Sequence, residues 1–145
     1  MKILVADDDP TSRLIVQMAL RRLGHECDTV TDGSQAWSAF QAGQPDVVIS
    51  DWMMPGQTGV QLCQNIRTSS RGGSIYFILV TGQGAPAQIR EGMKAGADDY
   101  LIKPLDPDEL EVRLIAAARV TALHRQLAAQ RNQVESLNQE LTTLQ

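Results

Sequence analysis

Asp7, Asp8, Asp51, Thr81 and Lys103 are the residues of this chain whose types could do chemistry together. Carboxylates held about 4 Å apart repel by roughly 4 kcal/mol per pair at an effective dielectric of 20, so three of them call for a cation. A hard divalent ion answers that need, since every candidate ligand is an oxygen. Mg2+ (or Mn2+) takes one or two carboxylates, keeps waters and leaves room for a phosphoryl oxygen. No histidine or cysteine accompanies the acids, which argues against zinc. Lys103 offers a point charge to a phosphoryl oxygen, and Thr81 offers a hydroxyl donor. An aspartate nucleophile, a metal, a lysine and a hydroxyl together describe formation of an aspartyl phosphate on Asp51. Each residue also has a plainer role when taken singly: Asp51 could open the turn that follows it, and Lys103 could pair with Asp51 or Asp7.

Short apolar runs must position these groups, and each run ends on one of them. Ile3-Leu4-Val5-Ala6 leads into Asp7-Asp8-Asp9, and Val47-Val48-Ile49 leads into Asp51 and the Pro55-Gly56 turn. Ile75 to Val80 leads into Thr81-Gly82, and Asp99 to Ile102 into Lys103-Pro104. The runs are continuous rather than alternating, as in strands covered on both faces. Cys27 to Val30 reads as a weaker strand. Helical spacing separates the strands. The first helix carries Leu14, Ile15, Met18, Ala19 and Leu23 behind Asp9-Pro10, and Gly24 stops it. The next carries Ala36, Trp37 and Phe40 after Asp32-Gly33, and a third carries Val60, Leu62, Cys63 and Ile66 between Gly59 and Arg67. A fourth spans about Pro86 to Ala95. Alternation of this kind predicts an α/β fold, a doubly wound five-stranded parallel sheet with right-handed crossovers. All strands then end on one edge, where open α/β sheets bind ligands, so the polar tips converge although distant in sequence.

With 145 residues there is room for one domain with a core and an appendage. A formal net charge of -4 argues against a nucleic-acid footprint. No apolar run approaches the roughly 20 residues of a membrane span, and the N-terminus lacks a signal-peptide pattern, so a cytoplasmic protein with no membrane contact is expected. Cys27 and Cys63 are isolated and read as thiols rather than metal ligands or a disulfide.

From Pro107 the pattern is helical to the end. Val120, Leu123, Leu127, Gln130, Val134, Leu137, Leu141 and Leu144 recur at alternating spacings of three and four, an a/d seam. The expected division is a domain over residues 1–119 and a coiled-coil extension over 120–145, forming a parallel homodimer with Gln130 helping to fix register. The alternative is a helix folded back on its own domain. Because the pattern stops in mid-register, the expectation is a piece of a longer protein whose remainder is absent from this chain.

Over residues 1 to about 120 the sequence resembles the receiver domain of two-component response regulators. The resemblance rests on Ile3 to Asp9, on Ile49-Ser50-Asp51-Trp52-Met53-Met54-Pro55-Gly56, on Val80-Thr81-Gly82, and on Ala95 through Lys103-Pro104. It implies a flavodoxin-like sheet of order 2-1-3-4-5 and a phosphoacceptor signalling domain rather than an enzyme. Asp51 would take a phosphoryl group from a sensor histidine kinase or phosphotransfer protein. Asp7 and Asp8 would hold Mg2+ with Asp51 and the backbone carbonyl of Met53, and Lys103 would contact the phosphoryl oxygens. Thr81 would swing toward them and Tyr100 would rotate inward. Met53 and Gln83 would occupy positions that set the dephosphorylation rate, and the Lys103-Pro104 bond would be cis. The tail would pass the signal to an output module absent from this chain. Two rivals stand beside this reading. A magnesium-dependent phosphatase of the haloacid-dehalogenase type would use Asp7-x-Asp9-x-Thr11, and a purely structural dimerisation module would leave the acids idle.

Overall fold

The structure is a computed structural model that describes residues 1–82 and 84–144; Gln83, expected to influence dephosphorylation, and Gln145 lie outside the described residues. Strands β1 (Lys2–Ala6), β2 (Glu26–Val30), β3 (Val47–Asp51), β4 (Tyr76–Thr81) and β5 (Asp99–Ile102) form one sheet, in the order β2-β1-β3-β4-β5. All four pairings are parallel, with Ile49 opposite Ile78 and Asp51 opposite Val80. Helices α1 (Pro10–Arg22), α2 (Gly33–Gly43), α3 (Gly59–Thr68), α4 (Pro86–Lys94) and α5 (Pro107–Thr143) connect and follow them, with a 3-10 turn at Gly72–Ser74.

Because side chains alternate along a strand, the sheet carries two cores. Ile3, Val5, Val47, Ile49, Ile78 and Val80 face α1 and α5 and pack on Val16, Leu20, Leu110 and Leu114. Leu4, Val48, Phe77 and Leu79 face the other way, onto Phe40 of α2 and Leu62 and Ile66 of α3. The central strands are buried on both faces, which is why their sequence is apolar throughout.

Local sequence starts most of the helices. The Asp9 carboxylate accepts from the Thr11 amide with Pro10 in the first turn, Asp32 accepts from the Gln35 amide, and Thr58 and Gln61 form a capping box. Helix α4 lacks such a cap: Ala85 stands at its N-cap position without a side-chain bond, and Gly92 interrupts its nine residues. Each feature weakens a helix by about 0.5–2 kcal/mol, so α4 is the least self-supporting of the five.

The inward face of α1 differs from the expected one. Val16, Ala19 and Leu20 are buried, whereas Leu14 and Met18 are more than half exposed. Both stripes fit a helical period, and contact with the sheet and α5 selects between them.

Candidate functional site

The carboxyl ends of β1, β3, β4 and β5 meet on one rim. Asp7 (3% exposed) follows β1, Asp51 (7%) closes β3, and Asp8 stands exposed beside them. One carboxylate oxygen from each lies within 4.8 Å of the others. Lys103, just past β5, places its ammonium 3.1 Å from Asp51 Oδ2 and 3.6 Å from Asp7 Oδ2. Asp7 is held in place from behind: the Asp9 amide donates to its Oδ1 at 2.9 Å, and the Arg13 guanidinium donates to its carbonyl. Asp9 itself accepts from the Thr11 amide and the Ser12 hydroxyl. It therefore serves as a helix cap, not as the second acid of a phosphatase DxDxT site.

Electrostatically the rim is a strained anion cluster. Burial raises the Asp51 carboxyl to about 6; the Lys103 ammonium pulls it down, and the charge of Asp7 adds to the rise. An ion pair would ordinarily lower an aspartate, but here desolvation and a second carboxylate outweigh the single lysine. Burial works against the Lys103 ammonium too, yet Asp51, Asp7 and Asp9 together hold it above its ordinary value. The donor set is all carboxylate oxygen, with more negative than positive charge, which fits a hard divalent cation.

Around the acids, close backbone contacts fix the loop. The Trp52 amide donates to the Val80 carbonyl and the Gly59 amide to the Trp52 carbonyl, each at 2.8 Å. A Cβ on Gly59 would lie 2.3 Å from the Asp51 carbonyl oxygen, so only glycine lets α3 start this close to the end of β3. Met53 follows in an exposed loop, its side chain 68% exposed.

Thr81 closes β4, and its hydroxyl donates to Gln88 Oε1 on α4 at 3.4 Å. Tyr100 is half-buried and shares a narrow gap beneath α4 with Trp52, Thr81, Ile89 and Gly92. A Cβ on Gly92 would meet Leu79 Cδ1 at 2.7 Å and the Trp52 ring at 3.2 Å, so the glycine that weakens α4 also makes room for the indole. The Lys103-Pro104 peptide is cis.

The expected site residues Asp7, Asp8, Asp51, Thr81 and Lys103 thus share one rim, with Tyr100 beneath the adjoining helix. Reading the sequence missed Gln88, Gly59, Gly92 and Arg13. None stands in a recognisable motif; Arg13, Gly59 and Gln88 lie in the first turns of their helices, and Gly92 sits within α4. It missed Arg67 as well, which ties the 3-10 turn to the β5 approach through Gly72, Ile75, Gly96 and Asp98.

The tail continues α5 without a break. Leu110, Leu114, Ala117 and Thr121 are buried, and Val120 is half-buried against the α1/α5 core. From Arg125 to Leu144 every residue is exposed, including Leu127, Gln130, Val134, Leu137, Leu141 and Leu144, and Leu123 is 57% exposed. No helix among the described residues is long and apolar enough to cross a membrane.

Comparison with known proteins agrees with this geometry. The family model for the response regulator receiver domain matches residues 3–115. A probable transcriptional regulator ycf27 from Guillardia theta is 40% identical over 120 residues, covering 83% of this chain and 46% of that protein. The chain spans about half the length of the transcriptional regulators it matches first. Among solved structures, the chemotaxis response regulator CheY4 of Vibrio cholerae superposes with a TM-score of 0.76 at 32% identity, over 80% of this chain and 97% of that one. The receiver domain of the sensor histidine kinase PA1611 from Pseudomonas aeruginosa matches at 26% identity, over 83% of this chain and 97% of that one, with a TM-score of 0.74; it holds a magnesium ion in its active-site cleft. With the acids, the lysine and the hydroxyl on one rim of a 2-1-3-4-5 sheet, and the family model covering most of its length, this chain belongs to the response regulator receiver domain family.

Proposed function

We propose that Asp51 accepts a phosphoryl group from the phosphohistidine of a sensor histidine kinase or a phosphotransfer protein. The observation that carries this reading is the Lys103 ammonium 3.1 Å from Asp51 Oδ2, inside a cluster of three carboxylates. Asp7, Asp8 and Asp51, whose carboxylates cluster, would hold Mg2+ together with the Met53 carbonyl; the ion would neutralise the crowded acids and draw charge from the phosphoryl oxygens. Above pH about 6 Asp51 is ionised and nucleophilic. Its oxygen forms the new P–O bond as the P–N bond breaks, and the electron pair leaves on the donor ring nitrogen, which takes up a proton from water. Lys103 meets the phosphoryl charge directly. Thr81 exchanges its Gln88 bond for a phosphoryl oxygen, and Tyr100 turns into the gap beneath α4. A phosphoryl group adds close to two negative charges and three strong acceptors. Moving a two-state equilibrium decisively takes about 5.5 kcal/mol, within reach of a few charge-assisted bonds. Mass spectrometry after treatment with acetyl phosphate and Mg2+ tests the reading: the label is expected on Asp51 and absent from an Asp51→Asn protein. Label on Asp7 instead would support phosphatase chemistry.

The extension over residues 120–145 is proposed to form a parallel coiled coil with a second copy, and residues 1–119 to form the receiver. An isolated helix this exposed gains little by itself, so a partner must cover its stripe. Burying the remaining exposed surface of six Leu and Val positions per chain contributes roughly 1 kcal/mol each, about 12 kcal/mol for the pair, against an association cost of about 4–15 kcal/mol. At the low end of that cost about 8 kcal/mol remains, which corresponds to a dimer of micromolar strength. Gln130 favours parallel pairing, because it then meets its own copy and the two amides can bond each other, whereas an antiparallel pairing of the whole seam would set it against Val134. Light scattering across a dilution series is expected to give twice the monomer mass at about a hundred micromolar and to fall toward the monomer mass below about one micromolar. A cytoplasmic location, with no direct contact to nucleic acid, is part of the same proposal, as is an output module beyond this chain.

A further inference from the structure

We infer that the ion pair between Arg125 and Asp46 is a clamp that sets the rotational phase of the tail, and so chooses which face of α5 a second copy of this chain meets. The inference rests on the parallel dimer proposed above and specifies how it is arranged. Arg125 Nη2 lies 2.8 Å from Asp46 Oδ1, a contact spanning 79 residues of sequence. Asp46 is itself anchored: its Oδ2 accepts from the Lys2 amide at 3.0 Å, and its backbone bonds both Lys2 and Tyr76. Among the described residues this is the last polar link from α5 to the domain, and every position after it is exposed. Thr121, His124, Arg125 and Ala128 flank a cleft of about 270 Å³ against Asp46, Ser74 and Ile75, so packing alone holds this turn loosely.

Helical geometry turns this contact into an orientation. Arg125 lies on the domain side of α5, close to the line of Leu114, Ala117 and Thr121. Leu123 and Leu127, two residues to either side, lie nearly half a turn from it and face out. Traced back toward the domain, the outward line runs through Ala116 to Val112, both exposed, the latter by 61%. The seam therefore extends from the tail onto the receiver's own α5, provided that the helix does not rotate at its exit. Leu110, Leu114, Ala117 and Thr121 fix the helix up to that exit, and the Arg125 pair, with its arginine side chain 67% exposed, biases the turn just beyond it against rotating. The strand that begins beside Asp46 ends at Asp51, so the clamp and the phosphoacceptor stand at opposite ends of β3.

One cysteine introduced at Ala116, Leu127 or Leu137, in a Cys27→Ser protein whose remaining Cys63 is buried, tests the clamp by disulfide trapping under mild oxidation. All three are expected to trap dimers. Arg125→Glu is expected to leave Leu137→Cys trapping unchanged and to slow Ala116→Cys trapping at least tenfold, with Arg125→Lys restoring it. Amide exchange over residues 121–128 is expected to rise at least fivefold in Arg125→Glu. If Arg125→Glu traps Ala116→Cys at the original rate, or if Ala116→Cys never traps while Leu137→Cys does, the clamp is wrong and the coiled coil survives. If Leu137→Cys fails to trap and light scattering gives a monomer, the dimer itself is wrong and the inference falls with it.

Discussion

Replacing Asp51 by asparagine should stabilise the metal-free protein, although it removes the nearer of the two carboxylate partners of Lys103. Burial and Asp7 raise the Asp51 carboxyl from 3.8 to about 6. Between these values the folded protein holds a proton that the unfolded chain releases, so stability falls as pH rises through that window and is flat above it. At about 1.4 kcal/mol per pH unit the full loss is about 3 kcal/mol; water at the open rim reduces it to about 2 kcal/mol. The asparagine amide does not titrate. The variant's advantage over the parent should therefore be near zero at pH 4, grow between pH 4 and 6, and level off at about 2 kcal/mol by pH 8, a rise in Tm of roughly 6 °C. Mg2+ should reverse the comparison. At a hundredfold excess over its dissociation constant it adds about 2.7 kcal/mol to the parent and little to the variant. Thermal melts at pH 4.5, 6 and 8, with EDTA and with Mg2+, measure all of this. An Asp51→Asn protein no more stable than the parent at pH 8 in EDTA, or an advantage that does not vary with pH, would refute the claim that the rim is an under-neutralised anion cluster.

Magnesium binding, read by Trp52 fluorescence, should be independent of pH above about 6.5 and weaken below pH 6, by up to about tenfold per unit, as protons compete for Asp51. Gly59→Ala should lower stability by about 1–3 kcal/mol in urea titrations, because its Cβ would press on the Asp51 carbonyl and Leu79. A neutral result would mean that α3 shifts freely relative to β3. Leu114→Ala, at a position 2% exposed, should cost about 2–5 kcal/mol of domain stability. Leu137→Ala should leave the domain's urea midpoint unchanged and instead raise the dimer dissociation constant measured by sedimentation.

The sheet and its rim were legible in the linear sequence because each strand is a short apolar run that ends in a polar residue. Parallel winding puts every such ending on the same edge, so Asp7, Asp51, Thr81 and Lys103 could be brought together without knowing a single contact. Capping chemistry is equally local, and Asp9-Pro10 and Asp32-Gly33 marked their helices for that reason. The inward face of α1 could not be read in this way. Leu14 and Met18 are as apolar as Val16 and Leu20, and only the position of the sheet decides which pair is covered. Gln88 beside Thr81, Gly92 beneath Trp52 and Asp46 against Arg125 lie beyond sequence pattern for the same physical reason. Each is a meeting of segments whose separation in space is set by packing across the whole domain, and no spacing along the chain encodes it.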